Sequence, residues 1–116
     1  VYELTPLYDV LSAYPIIGTG ANQLSPFKAK MAMAVRSKNT HWIMRDITRR
    51  HWLTVGAEHG VVSADGQGVE AILDEIVTQT PEVIRTIHAL LPKNFPDHVA
   101  QSILNGLQSA AEQLAG

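Results

Sequence analysis

The 116-residue chain has no cysteine and no apolar run long enough to span a membrane. Without cysteine, the fold cannot depend on disulfides. Catalysis by a thiolate and metal binding through thiolate ligands are likewise excluded. A bilayer-spanning helix needs about 20 predominantly apolar residues, so we expect no membrane partner. The sequence also shows no charged start leading into an apolar block, which is the pattern of a secretory signal. We therefore expect a cytoplasmic protein.

Charged residues are scarce, at 17%, and they are unevenly distributed. Seven of the nine lysines and arginines fall between Lys28 and Arg50, where Asp46 is the one acid, whereas eight of the eleven acids follow residue 50. A cluster of cations attracts nucleic acid or an acidic partner. More commonly, such cations only form the solvated face of a hairpin and a helix. Both interpretations of the cluster stay open. The basic stretch, as we call it, comprises Lys28, Lys30, Arg36, Lys38, Arg45, Arg49 and Arg50.

The first residues of the chain predict a short strand, a helical turn and a loop. Residues 2–5, YELT, are typical of a strand, which Pro6 ends. Residues 9–14 predict one helical turn, stopped by Pro15, before a loop rich in glycine, asparagine and serine over residues 16–26. Because the chain opens directly in strand-like sequence, with valine in the first position, we expect it to be part of a larger protein.

Residues 28–43 predict a β-hairpin. Met31, Met33 and Val35 alternate with alanines, which is the period of a strand. The polar residues 36–39 read as a turn, and THWI reads as a returning strand. Methionine and alanine also suit a helix by propensity, so a helix over the same residues stays open.

The remaining residues, 44–116, show helical spacing of their apolar side chains. Threonine followed by proline at Thr80 and Pro81 suits a cap and a first helical position, so a new helix is predicted there. With the N-terminal part, this predicts one α+β domain over residues 1–116 that is mostly α. The four helices are predicted from Met44 to about Glu58, over residues 69–76, from Thr80 to Leu91, and from Pro96 to Leu114.

No complete set of catalytic or metal-binding residues can be read from the sequence. No serine lies in a GxSxG motif, and the five histidines lack the HExxH spacing of a zinc site. His51 is expected to pack or to hydrogen-bond locally. Residues 18–23, GTGANQ, depart from a phosphate-binding GxGxxG loop because Gln23 takes the place of the last glycine.

Asp9 has a more specific functional reading. It is an acid within the apolar stretch LTPLYDVLS, residues 4–12. One reading is a helix cap, whose carboxylate accepts hydrogen bonds from the first backbone N–H groups of a helix. The other is a ligand for a Mg²⁺ ion that holds a nucleotide phosphate, because Mg²⁺ prefers hard carboxylate oxygens.

Three segments of the first half of the chain occur in a distinctive order and spacing. They are YELTPLYDVLSAYP at 2–15, NQLSPFKAKMAMAVRSKNTHW at 22–42 and DITRRHW at 46–52. In this combination they resemble the C-terminal lobe of HipA-family toxins, which are bacterial serine/threonine kinases of toxin–antitoxin pairs. The resemblance is strongest over residues 2–55. The helices after that are of the type expected for the family, but they carry none of its motifs.

The resemblance implies a role for Asp9. In the family, the aspartate of the PLYD box ligates the Mg²⁺ that bridges the ATP phosphates; here that residue is Asp9, with Tyr8 in the aromatic position. It also implies transfer of the ATP γ-phosphate to a protein serine, and a small helix-turn-helix, HipB-like antitoxin that binds operator DNA. The family's phosphate loop, ATP lysine and catalytic Asp and Asn all precede the box. This chain would therefore be the last part of a kinase, and inactive alone.

A second class of function stays open beside the kinase reading. The chain would then be a non-catalytic helical module that binds an antitoxin or operator DNA through the basic stretch. The contact residues predicted for that role are Lys38, Arg45, Arg49 and Arg50.

Overall fold

Three α-helices and one β-hairpin make up the fold of the residues that the structure describes. The computed structural model describes residues 3–116, and it confirms the prediction of a mostly-α α+β fold. Within the described residues, none of the helices is both long and apolar enough to cross a bilayer. In chain order, the elements are a 3₁₀ turn at Tyr14–Ile16, β1 at Lys30–Arg36, β2 at Thr40–Ile43, a 3₁₀ turn at Met44–Asp46, α1 at Arg49–Glu58, α2 at Val69–Leu90 and α3 at Asp97–Ala115.

The hairpin forms where the alternating pattern predicts it. β1 and β2 are antiparallel, with Val35 paired to His41 and Arg36 paired to Thr40. Val35 is buried and Arg36 is exposed, and α1 packs against β1. The predicted hairpin is therefore confirmed. The alternative of a helix over residues 28–43 is wrong, because the returning THWI segment supplies a strand with which β1 pairs.

Two predictions for the residues before the hairpin are wrong. Residues 3–5 lie in no strand, and the first position of the predicted strand, at residue 2, falls outside the described residues. An isolated strand has no neighbour to pair with its backbone groups. The helical turn lies at Tyr14–Ile16 instead of residues 9–14, and Pro15 is near its start, because the fixed φ of proline suits the first positions of a helix.

A single helix, α2, takes the place of the second and third predicted helices. Thr80 is buried within it, and its hydroxyl donates to the backbone carbonyl of Ile76, 2.7 Å away, instead of capping a new helix. Pro81 lacks a backbone N–H, but the helix continues through it because α2 packs along α3. The described residues thus form three α-helices, where the sequence predicted four.

The core lies between α2 and α3 and continues beneath the hairpin. Two glycines permit its closest approaches: Gly56 of α1 faces Val69 of α2, and Gly106 of α3 faces the ring of Tyr14. A Cβ atom at either glycine would overlap its neighbour. These contacts join α1 and the first 3₁₀ turn to the two long helices. The buried apolar residues are Ala29, Val35, Ile47, Leu73, Ala100, Leu104 and Ala111.

Candidate functional site

Asp9 lies in an irregular segment that precedes the first helical turn. Residues 3–13 carry no regular secondary structure, and Asp9 is exposed. Its φ of 52° lies in the left-handed region, which aspartate adopts more readily than most residues because its short side chain can hydrogen-bond locally. The helix-cap reading of Asp9 is wrong, because the N-cap of the turn that follows is Ala13.

The apolar side chains around Asp9 are almost completely exposed. The exposed fractions are 100% for Leu4, 90% for Leu7 and 91% for Leu11, and Tyr8 is exposed as well. A contiguous apolar surface of this kind marks a contact with another surface. Asp9 therefore stands among apolar side chains that the described residues leave exposed.

Asp9 fits a Mg²⁺ ion as a single ligand. A carboxylate oxygen is the donor that Mg²⁺ prefers, and the ion is usually held by one or two carboxylates together with phosphates and water. Among residues 3–116, no group of three histidine, aspartate or glutamate side chains lies close enough together to hold a metal ion. Any further ligands would come from the nucleotide, from water or from another part of the protein.

The hairpin presents the first part of the basic stretch to solvent. Lys30 and Arg36 are exposed at the two ends of β1, and Lys38 is exposed in the turn. The guanidinium carbon of Arg45 lies 4.1 Å from the centre of the Phe27 ring, which is a cation–π arrangement. The hairpin and the turns before and after it thus combine cations with the exposed ring of Phe27.

The two arginines at the start of α1 have different environments. Arg49 forms ion pairs with Asp74 at 2.6 Å and Glu70 at 3.4 Å, and it donates to the Leu114 carbonyl at 3.2 Å. Its hydrogen bond to Asp74 is the main reason that the pKa of the guanidinium is raised. Arg50, by contrast, is exposed. Arg49 therefore joins α1 to α2 and α3, whereas Arg50 faces solvent.

A stacked histidine pair lies between the hairpin and α1. His51 is only 5% exposed, and its ring stacks on that of His41, with the ring centres 3.9 Å apart. Nδ1 of His51 accepts the backbone N–H of Thr48 at 3.0 Å and so caps α1. The pKa of His51 is lowered, first by burial and then by the charges of His41 and Arg50. The local packing expected of His51 is confirmed, but its capping role was not predicted.

A cavity of about 300 Å³ lies between the start of α1 and the end of α3. Its walls are mainly apolar and include Tyr14, Met44, Trp52 and Leu114. The lining contains no carboxylate and no imidazole, so it suits an apolar group but offers no acid–base pair. Sequence reasoning missed this cavity, because its walls come from segments that are far apart in the chain.

No protein-family model matches the chain. Two features of the described residues carry chemistry: the exposed carboxylate of Asp9 within an uncovered apolar segment, and the exposed cations of the hairpin.

Proposed function

We propose that this chain is the C-terminal portion of a HipA-like serine/threonine protein kinase, in which Asp9 is a ligand of the Mg²⁺ that holds ATP. The parent protein transfers the ATP γ-phosphate to a serine of a protein substrate, and its partner is a small helix-turn-helix antitoxin. The observation that carries the proposal is Asp9 itself, an exposed acid within LTPLYDVLS, a segment whose apolar side chains are exposed.

The apolar segment around Asp9 supports a lobe with a second surface against it. Leu7 and Leu11 flank the carboxylate and are 90% and 91% exposed. Full burial of one leucine side chain is worth about 1.5–3 kcal/mol, so several leucines left in water are unfavourable unless another part of the protein covers them. In the proposed kinase, the part that carries the phosphate loop and the catalytic Asp and Asn provides this cover.

Asp9 would contribute a fixed negative charge to the proposed site and would not transfer a proton. When bound, Mg²⁺ would neutralise charge on the phosphoryl group during transfer. The part of this chain is to hold the carboxylate in place. Tyr14, five residues after Asp9, lies against Gly106 of α3, so the segment is anchored close to the proposed ligand.

Replacing Asp9 with asparagine tests the proposed role directly. Asp9→Asn keeps the size of the side chain but removes its charge, and we expect kcat/KM of the kinase that contains this chain to fall at least about 100-fold. That is the usual loss when one preorganised electrostatic contact to a transition state is removed. The measurement is transfer of radiolabelled γ-phosphate at saturating Mg²⁺.

Glu3→Gln is the matched control for this substitution. Glu3 is an exposed acid of the same segment and undergoes the same chemical change, and we expect its activity to stay within about twofold of the parent, as for a surface position. The 116-residue chain alone is expected to transfer no phosphate. Full activity of Asp9→Asn, or equal losses in both variants, would contradict the assignment.

The exposed cations of the basic stretch favour a second function, binding of the antitoxin or operator DNA. Lys38 and Arg50 are exposed and carry the charge that such a contact needs. The ion pairs of Arg49 with Asp74 and Glu70 give that residue a structural task. Lys38, Arg45 and Arg50 are therefore the better-placed members of the predicted contact set.

Salt dependence distinguishes this contact from a solvated surface. If Lys38 and Arg50 each contact a phosphate, Lys38→Ala and Arg50→Ala should each reduce the slope of log affinity against log salt by about 1, without loss of kinase activity. Fluorescence anisotropy with labelled operator DNA measures the slope. Lys93→Ala, at an exposed lysine outside the basic stretch, is the control. If the slope of log affinity against log salt is unchanged in all three variants, the basic stretch is only a solvated face.

A further inference from the structure

One side of α2 carries four large apolar side chains that the fold leaves exposed. The exposed fractions are 47% for Ile76, 44% for Val83, 43% for Ile87 and 73% for Leu90. At 100° per residue, the four positions fall within a sector about 60° wide, along about 21 Å of the helix. We call these four residues the α2 stripe. They lie together on one line, whereas apolar residues scattered singly over a surface need no explanation.

Two members of the α2 stripe, Ile76 and Leu90, are equally spaced on either side of Val83. Ile76 lies seven residues before it, and Leu90 lies seven residues after it. Seven residues is the repeat that keeps apolar side chains on one seam between paired helices. If a second copy of α2 is placed antiparallel about a two-fold axis at Val83, Val83 meets its own counterpart and Ile76 meets Leu90.

The charges at the two ends of the α2 stripe agree with an antiparallel arrangement. Glu75 is exposed beside Ile76, and Lys93 is exposed just beyond Leu90. Antiparallel pairing places Glu75 of each copy at the end of α2 of the other copy after which Lys93 follows. A parallel pair would instead oppose glutamate to glutamate and lysine to lysine. Such flanking charges set the orientation of paired helices.

We propose that the α2 stripe is the interface of a two-fold homodimer, in which α2 of each copy pairs antiparallel about Val83. The occupant of the stripe is therefore a second copy of this chain. Each copy removes its four apolar side chains from water on pairing. The interface is isologous, so assembly closes at two copies. This proposal goes beyond the kinase proposal and does not depend on it.

Single cysteines report the proposed contact without background, because the chain has no cysteine of its own. Val83→Cys is expected to form a disulfide-linked dimer on mild oxidation, since the two-fold axis brings the two copies of this position together. Ile76→Cys alone should stay monomeric on a non-reducing gel, whereas an equimolar mixture of Ile76→Cys and Leu90→Cys should cross-link. Thr78→Cys is the matched control, at an exposed position of α2 about 140° away from Val83 around the helix.

The mass of the chain in solution provides an independent test. At roughly 100 µM, sedimentation equilibrium is expected to give twice the 12.7 kDa of one chain. Val83→Glu should return the mass to that of one chain, with its far-UV circular dichroism unchanged.

Three results would overturn the antiparallel homodimer. They are a monomeric parent chain at that concentration, cross-linking of Thr78→Cys as fast as that of Val83→Cys, and self-cross-linking of Ile76→Cys, which is the mark of a parallel pair. A chain that is monomeric alone, but whose α2 stripe is protected in a longer protein, would assign the stripe to another part of that protein and would also refute the proposal.

Discussion

Gly106→Ala is expected to lower the free energy of unfolding by about 2 kcal/mol, although alanine is the better helix former. Gly106 is buried within α3, and an added Cβ would overlap ring carbons of Tyr14. Alanine gains roughly 1 kcal/mol over glycine in a helix interior. Forcing a methyl group into occupied space costs typically about 1–3 kcal/mol, and overlap with a ring places this site at the upper end. The steric cost therefore exceeds the gain in propensity.

A double-mutant cycle with Tyr14 isolates this contact. In a Tyr14→Ala background the overlap is gone, so the same Gly106→Ala change is expected to become stabilising by up to about 1 kcal/mol. Urea unfolding of the four chains measures the reversal of sign. Asn105→Ala, at an exposed neighbouring position of α3, should stay within about 0.5 kcal/mol of the parent. If Gly106→Ala is no less stable than the parent chain, the ring does not lie against α3.

The hairpin and the last helix could be predicted because their information is local. Alternation through Val35 and a polar turn fix the hairpin, and Pro96 with the apolar stripe that follows fixes α3. The Thr80–Pro81 pair misled the prediction, because its sequence is that of a helix start while packing against α3 holds one continuous α2. Propensity and capping rules describe an isolated segment, and tertiary contacts override them.

The candidate site was less predictable, because its geometry depends on distant residues. Asp9 was identified from its sequence context, but nothing in that context showed its left-handed backbone. Arg49 looked like a surface cation, yet its acidic partners Glu70 and Asp74 lie 21 and 25 residues further along the chain. The side-chain cap of α1 was not predicted, because an unexpected residue type provides it. The capping-box rule expects Glu or Gln three residues after Thr48, and His51 stands there instead.

Acidification below about pH 6.5 is expected to lower the free energy of unfolding, because the folded chain holds His51 neutral. Burial lowers the pKa of His51, and the positive charges of His41 and Arg50 lower it further. In the unfolded chain a histidine takes up a proton near pH 6.5. The unfolded state therefore binds more protons in this window, so stability rises with pH. The contribution is complete above about pH 6.5 and is lost as the pH falls towards the lowered pKa of the folded state.

Substitution of His51 separates its proton uptake from its role as a cap. A protonated Nδ1 cannot accept the N–H of Thr48, so charging the ring removes the bond that caps α1. His51→Gln provides a side-chain oxygen for the same N–H but cannot titrate, and we expect a flatter stability curve between pH 5 and 8. His51→Ala loses the cap at every pH, at a cost of about 1 kcal/mol.

His59→Gln, at an exposed histidine just after α1, should keep the slope of the parent chain. Urea midpoints across this range measure all four curves, and parallel curves for the parent and His51→Gln would show that His51 is not the titrating group. A flat curve for His51→Gln with unchanged stability at pH 8 would assign the pH dependence to proton uptake by His51, because glutamine keeps the bond to Thr48 but takes up no proton.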